Sequence, residues 1–306
     1  MSPVTAHPPS PLAQQAELLD PPPHPELVRS LLLKQAPELA DEPLVQLPSG
    51  RDNAAFRIGD NHLARLPLHD MSAPLMETEH RWMPGLASRV PVRTSAPVIL
   101  GRPGSGYPYP WSVAHWIPGD TADRTAFAPE QAVTALLELW SGLHHPAPAE
   151  APHNPFRSVP LADRVPRFRE HVADLDHPDG ERWIQELEQL AAIPVSVKER
   201  VWCHGDLHPR NIVVDDRRVV GVIDWGDLHG GDPVVDYAAA WMMLPEEHRE
   251  RVRRELDVAD DVWERARGWA MVFGVLLMRI GIQDEDRPFR DCGERTLMRA
   301  MSLRAD

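Results

Sequence analysis

Residues 204–211, HGDLHPRN, set two histidines, an aspartate and an asparagine between the apolar runs VWC and IVV. Asp206 and Asn211 stand five positions apart. A surface loop needs no carboxylate and carboxamide at a fixed interval, whereas chemistry on a hydroxyl does. A second polar run, GVIDWGDLHGGDPVVD over 221–236, begins where Asp224 follows the apolar Val-Ile pair. A hairpin joining the two runs would bring Asp206, Asn211 and Asp224 to one end. Asn211 and Asp224 are hard oxygen donors of the kind Mg²⁺ takes together with phosphate and water. Asp206, beside them and not needed as a ligand, suits orienting a hydroxyl and accepting its proton. A base, an asparagine on metal and an aspartate on metal are the parts of a phosphoryl-transfer site. Taken singly, such residues would be turn formers; their order within a strand, loop and hairpin is what points to chemistry.

The elements that must hold this loop can be read around it. A helical rhythm of leucines runs over 24–41, and strand-like runs follow at 43–50, 53–61 and 62–68. The Gly-Asp-Asn at 59–61 makes the last two a hairpin. A helix over 73–90 and further strands at PVIL and over 106–120 complete a small sheet with one helix. From residue 128 the pattern turns helical, with helices over 128–145, 161–175 and 181–193 and a proline-rich loop at 146–160. The polar loop and a strand arm at 217–227 form one hairpin, and the remainder is helical. The expected fold is therefore α+β. A proline-rich disordered tail over 1–23 precedes a small β-rich N-lobe (24–119) and a larger helical C-lobe (120–306) whose one β-hairpin carries the polar residues.

Composition narrows the function classes. The chain has 306 residues, 42% hydrophobic and 25% charged, with a net charge of −14 and a pI near 5.5. Such a surface repels nucleic acid and anionic membranes, so no nucleic-acid partner is expected. Two cysteines without metal-ligand spacing, Cys203 and Cys292, fit a reducing cytosol. The longest apolar run, over 269–278, is about half the ~20 residues a membrane-spanning helix needs. The N-terminus lacks the basic start and apolar core of a signal peptide, which points to a cytoplasmic protein with no membrane partner. The pair His144-His145 reads as a helix end and not as a zinc site.

HGDLHPRNIVV, followed by GVIDWGD and GDPVVDYA, resembles the aminoglycoside phosphotransferase family, antibiotic kinases with a bilobal, protein-kinase-like fold. The similarity covers the chain from about residue 40. It implies Asp206 as catalytic base, Asn211 and Asp224 as Mg²⁺ ligands, and ATP or GTP as phosphoryl donor. His204 would be a scaffold residue bonded to backbone near Asp224, while Asp232 and Asp236 would hold the second loop and cap the next helix. Ser49 and Gly50, in PSGRDN, would belong to a loop covering the nucleotide. The strand over 62–67 should carry a phosphate-binding lysine, yet the two lysines of the chain are Lys34 and Lys198, and Arg65 stands in that place. Its helix carboxylate partner would be Glu79 in the first instance and Glu77 in the second. In WSVAHWIPGD, the stretch resembling the hinge between lobes, His115 and Ile117 would offer backbone groups to the purine, with Ala114 beside the pocket.

The resemblance implies transfer of the γ-phosphoryl group to a hydroxyl of a small-molecule antibiotic by a monomer or dimer. The acids Asp227, Asp232, Glu264 and those over 283–294 would favour a polycation such as an aminoglycoside or basic cyclic peptide. Trp225, Trp241, Trp263 and Trp269 would equally suit a macrolide. The alternatives are a metabolic kinase of an amino alcohol or sugar, and a nucleotide-binding protein without catalysis.

Overall fold

The computed structural model describes residues 18–48, 50–195 and 199–301. Up to Trp116 the chain forms α1 (Pro25–Gln35), β1 (Leu44–Gln46), β2 (Asn53–Ile58), β3 (His62–Pro67), α2 (Ala73–Leu86), β4 (Arg93–Thr94), β5 (Pro97–Gly101) and β6 (Trp111–His115). There follow β7 (Asp120–Thr121), α3 (Pro129–Leu143), α4 (Val165–Leu175), α5 (Gly180–Ala191), β8 (Val201–Cys203), β9 (Ile212–Asp215), β10 (Arg218–Val222) and β11 (His229–Gly231). The last elements are α6 (Val234–Met243), α7 (Glu246–Glu255), α8 (Asp260–Gln283) and α9 (Arg287–Met301). The described chain divides into two compact units, one running to Arg81 and resumed over Pro97–Trp116, the other made of Trp82–Ala96 and everything from Ile117.

The first unit is a five-stranded antiparallel sheet in the order β1-β2-β3-β6-β5. β2 alternates buried and half-buried residues, as a strand with one face on a core must. The turn at Gly59, with φ +53°, sets the β2–β3 register, pairing Ile58 with His62 and Asn53 with Pro67. Val28, Leu31 and Leu32 of α1 meet Phe56, Ile58, Leu66, Trp111 and Val113 in one core. α1 itself starts on Pro25, whose missing N–H costs nothing at that position, and His24 Nδ1 accepts the Leu27 N–H. The expected tail lies over 1–17 outside the described residues, and Leu19 docks on this unit through its N–H on Leu68 O at 2.9 Å.

The second unit is larger and mainly helical. Its sheets exceed the single hairpin expected: β4-β10-β9-β7 form one of four strands and β11-β8 a second of two. The extra strands are two or three residues long, too short to leave a period in the sequence. β9 and β10 turn at Asp216 and Arg217, both left-handed, with φ of 43° and 62°. The core is rich in tryptophan: Trp140, Trp225, Trp241, Trp263 and Trp269 are all fully enclosed. The strand expected over 106–120 is confined to β6 and β7, since Pro108, Pro110 and Pro118 have no N–H to give a ladder, and the Tyr107 hydroxyl donates to Pro67 O at 2.7 Å. No helix among the described residues is long and apolar enough to cross a membrane.

Candidate active site

β8 runs antiparallel to β11 and delivers the chain into the polar loop, which closes in a 3₁₀ turn at Pro209–Asn211 before β9 begins. Gly205 is left-handed, φ +84°, and a Cβ there would lie 2.7 Å from Asp227 O and 2.8 Å from His229 Nδ1. Only glycine lets the loop pass so close to the next one. The loop is anchored from below by Asp236, a fully buried residue in the first turn of α6. Its Oδ1 accepts the Gly205 N–H at 2.8 Å, and its Oδ2 accepts the His204 N–H at 2.8 Å and lies 3.1 Å from His144 Nε2. Burial alone would raise this carboxyl; the His144 contact and the backbone N–H groups override it and hold it below the usual range. Asp236 thus holds the 204–211 loop and does not cap α6. The N-terminal bond of that helix comes from Asp232, whose Oδ1 accepts the Val234 N–H at 3.1 Å.

Asp206 presents its carboxylate to three donors. Arg157 Nη2 reaches Oδ1 at 2.7 Å, while His208 Nε2 and Asn211 Nδ2 reach Oδ2 at 3.2 Å each. Burial would raise the carboxyl, but His208 and Arg157 hold it well below the ordinary carboxylate range. Asn211 Nδ2 also donates to Asp206 O at 2.9 Å, which turns its Oδ1 away from Asp206. Across the hairpin, the Ile223 N–H donates to Asn211 O at 2.9 Å, so Asp224 is the next residue beyond the one paired with Asn211. Asp224 is exposed and left-handed, φ 61°, with its N–H on Ser95 Oγ at 3.2 Å. A non-glycine residue held in this region is a strained one, of the sort that gathers at functional sites. His204 Nε2 lies 3.1 Å from Ile223 O, where it fixes the strand end that carries Asp224. Burial keeps that ring's proton affinity low, so it donates as a neutral imidazole.

The donor chemistry of Asn211 and Asp224 fits Mg²⁺: one amide oxygen and one carboxylate oxygen are hard ligands that leave positions for phosphate and water. Among the described residues no group of three His, Cys, Asp or Glu side chains converges as a metal cluster.

In the first unit, Arg65 on β3 meets Glu79 on α2. Its Nη1 donates to Oε1 at 2.9 Å and to Oε2 at 2.7 Å, with Arg65 8% and Glu79 1% exposed. Glu79, not Glu77, is therefore the helix partner. Gly50 donates its N–H to Asn53 O at 3.1 Å in the turn before β2, and Ser49 lies outside the described residues. His115 ends β6 opposite His62, and Ile117 is a buried residue of the second unit.

The acceptor-side expectations fare unevenly. Trp225 is 0% exposed, gives its Nε1–H to Val222 O at 3.1 Å and packs on His204, so it is a core residue and not a substrate contact. Trp241, Trp263 and Trp269 are core for the same reason. Asp232 Oδ2 is held by Arg265 Nη1 at 2.5 Å, Glu264 by Arg267 at 2.6 Å and Asp286 by Arg210 at 2.7 Å, so each of these three already has a cationic partner. Asp227 accepts Asn154 Nδ2 at 2.5 Å; burial first, then repulsion from Asp206, pushes its carboxyl up to about 6. Sequence reasoning missed Asn154 and Arg157, because the stretch 146–160 reads only as a proline-rich connection and nothing in it marks a partner for Asp206. The contacts of Ser95 with Asp224 and of His144 with Asp236 join segments far apart in the chain, and the sequence marks neither.

Comparison with known proteins places the chain in a family and a fold. A family model described as "Phosphotransferase enzyme family" matches residues 43–269. The aminoglycoside 3'-phosphotransferase of Streptomyces fradiae is 31% identical over 164 residues, 50% of this chain and 56% of that protein. That of Streptomyces ribosidificus is 30% identical over 177 residues, 55% of this chain and 62% of that protein. The chain thus spans less than two thirds of the length of these curated relatives. Among solved structures, the GDP complex of wild-type aminoglycoside 2'-phosphotransferase-IIIa has a TM-score of 0.67 at 18% identity, covering 90% of this chain and 98% of that one. Macrolide 2'-phosphotransferase MphH from Brachybacterium faecium has a TM-score of 0.60 at 16% identity, covering 89% and 97%. These structures share the α+β, protein-kinase-like fold. With its family model matched over 43–269, the chain belongs to the phosphotransferase enzyme family.

Proposed function

We propose that this protein is a nucleotide-dependent phosphotransferase that moves a γ-phosphoryl group from ATP or GTP to a hydroxyl of a small-molecule antibiotic. The observation that supports this best is the grouping of Asp206, Asn211 and the left-handed Asp224 on one loop and hairpin, with Asn211 bonded to Asp206 and the Asp224 N–H held by Ser95. Relatives named as aminoglycoside 3'-phosphotransferases, and fold neighbours solved with GDP or with ADP and hygromycin B, favour an antibiotic over an amino alcohol or sugar.

In this reading Asn211 and Asp224 hold Mg²⁺. When bound, the ion supplies charge neutralisation on the phosphates. Asp206 accepts a hydrogen bond from the acceptor hydroxyl and aims it. Because its proton affinity is held low, positioning contributes more than proton removal, as suits a transfer in which the nucleophile need be little deprotonated early. Arg65, paired with Glu79, takes the phosphate-binding place of a lysine; its planar fork is bulkier than an ammonium and can hold phosphate through two donors. Gly50, Ser49, and backbone groups of His115 and Ile117 would meet the nucleotide, and Asp227 would face the acceptor. Two free, buried cysteines and a nucleotide as donor support a cytoplasmic location.

The test is phosphate transfer with Mg²⁺ from ATP and from GTP across aminoglycosides, basic cyclic peptides and macrolides, read by mass. A product heavier by one phosphate bears the reading out. Nucleotide hydrolysis without any phosphorylated antibiotic would move the acceptor to an amino alcohol or sugar, and no hydrolysis at all would sink the enzyme.

A further inference from the structure

The loop over 154–158 brings a cation to the acceptor side of the base, where the acids nearby had suggested the opposite. Asn154 builds it. Its Oδ1 accepts the N–H groups of Phe156 at 2.8 Å and Arg157 at 3.0 Å, its N–H donates to Ser158 Oγ at 2.9 Å, and its Nδ2 holds Asp227. Arg157 leaves this loop with its guanidinium 4.7 Å over the Phe273 ring and its Nη2 on Asp206 Oδ1 at 2.7 Å. The side chain is 10% exposed. A guanidinium carries five N–H donors, and among the described residues Asp206 is the one acceptor that Arg157 meets, its Nε being buried without a partner.

The carboxylate of Asp206 has about four lone-pair directions. Oδ2 is used twice, by His208 and Asn211, and Oδ1 once, by Arg157. The remaining direction is on Oδ1. An acceptor hydroxyl donating to Asp206 there comes to rest beside the Arg157 guanidinium, whose unused N–H groups need oxygen. The cation also cancels the charge that would otherwise draw an ammonium to the base. Asp232, Glu264 and Asp286 offer no replacement, since Arg265, Arg267 and Arg210 already hold them.

We infer that Arg157 recognises the acceptor: it hydrogen-bonds an oxygen next to the reactive hydroxyl, so the enzyme takes acceptors whose phosphorylated hydroxyl is flanked by a neutral or anionic oxygen and discriminates against those flanked by an ammonium group. The inference rests on the phosphotransferase reading above and adds the chemistry of the acceptor to it. A site built to bond an oxygen rejects an analogue that lacks it, because its own donors are then left unmet.

The experiment compares kanamycin A with kanamycin B, which carry a hydroxyl and an amine respectively on the carbon beside the 3'-hydroxyl, in the wild type, Arg157→Lys and Arg157→Gln. Steady-state transfer and nucleotide hydrolysis are followed together, and thermal melting identifies any variant that fails to fold. The wild type should prefer the hydroxyl-bearing acceptor by roughly tenfold or more in kcat/KM. Arg157→Gln should collapse the preference, mainly through KM, and Arg157→Lys should keep its direction at reduced size. A wild type with no preference or the reverse one overturns the inference, as does a preference that survives in Arg157→Gln. Hydrolysis with transfer to neither acceptor overturns the inference and leaves the kinase standing. Absence of both hydrolysis and transfer overturns both.

Discussion

The Asp236 carboxylate accepts the backbone N–H of Gly205 at 2.8 Å, tying the first turn of α6 to the loop that carries Asp206. Asp236→Ala would strand the N–H groups of His204 and Gly205 in a buried place and leave His144 without its acceptor. We expect a loss of about 3 kcal/mol in urea unfolding together with a large fall in transfer rate. A variant as stable and active as the wild type would show that the loop is held by something else.

The Arg65–Glu79 pair is nearly solvent-free, so removing one partner takes a close counter-charge from the other. Glu79→Ala should cost about 3–5 kcal/mol in urea unfolding, whereas Glu77→Ala, an exposed change, should cost less than ~0.5 kcal/mol. Arg65→Lys should remain folded and bind nucleotide, because the ammonium keeps the charge while losing the fork. Equal effects of the two glutamate variants would remove Glu79 from its assigned place.

Asp227 gives a pH signature. Its carboxyl is raised to about 6 in the folded protein, against about 3.9 in an unfolded chain. Its contribution to stability is fully present below the unfolded value and is lost as pH rises through 6. Above that it is ionised in both states, and the folded protein carries the strain of burial and of repulsion from Asp206. Asp227→Asn, which keeps an oxygen for Asn154, should therefore raise Tm at pH 8, corresponding to a stability gain of at most about 3 kcal/mol, and change it little at pH 4. A Tm gain of the same size at both values would contradict the assignment.

Both thiols are buried, and burial raises the proton affinity of each, that of Cys292 to about 11. The thiolate is the reactive form. Native protein at pH 8 should resist a disulfide-exchange reagent over minutes, and denatured protein should react with both cysteines at once. Fast labelling of the native state would mean that β8 or α9 opens readily.

The parts legible in the sequence were those with a period or a fixed spacing. The β2–β3 hairpin announced itself through Gly-Asp-Asn, and the Asp206–Asn211 interval through its position between apolar strands. What was hidden depends on contacts between segments far apart in the chain. Arg157 meets Asp206 across 49 residues, and Ser95 meets Asp224 across 129, and no local pattern records either. Trp225 misled because a tryptophan next to a polar aspartate such as Asp224 reads equally as ligand contact or as core; its full burial against His204 decides for core. Two of the acids of 283–294 are paired with arginines, Asp286 with Arg210 and Asp291 with Arg290, and the sequence names neither pairing.

The account stands or falls on Asp206. The measurement is phosphate transfer to an antibiotic acceptor by the wild type and Asp206→Asn, with nucleotide affinity measured on the same samples. Asp206→Asn should reduce turnover by roughly 10²-fold or more while nucleotide affinity stays within about threefold. A variant that transfers phosphate at the wild-type rate would show that the hydroxyl is aimed elsewhere, and would contradict the account at its centre.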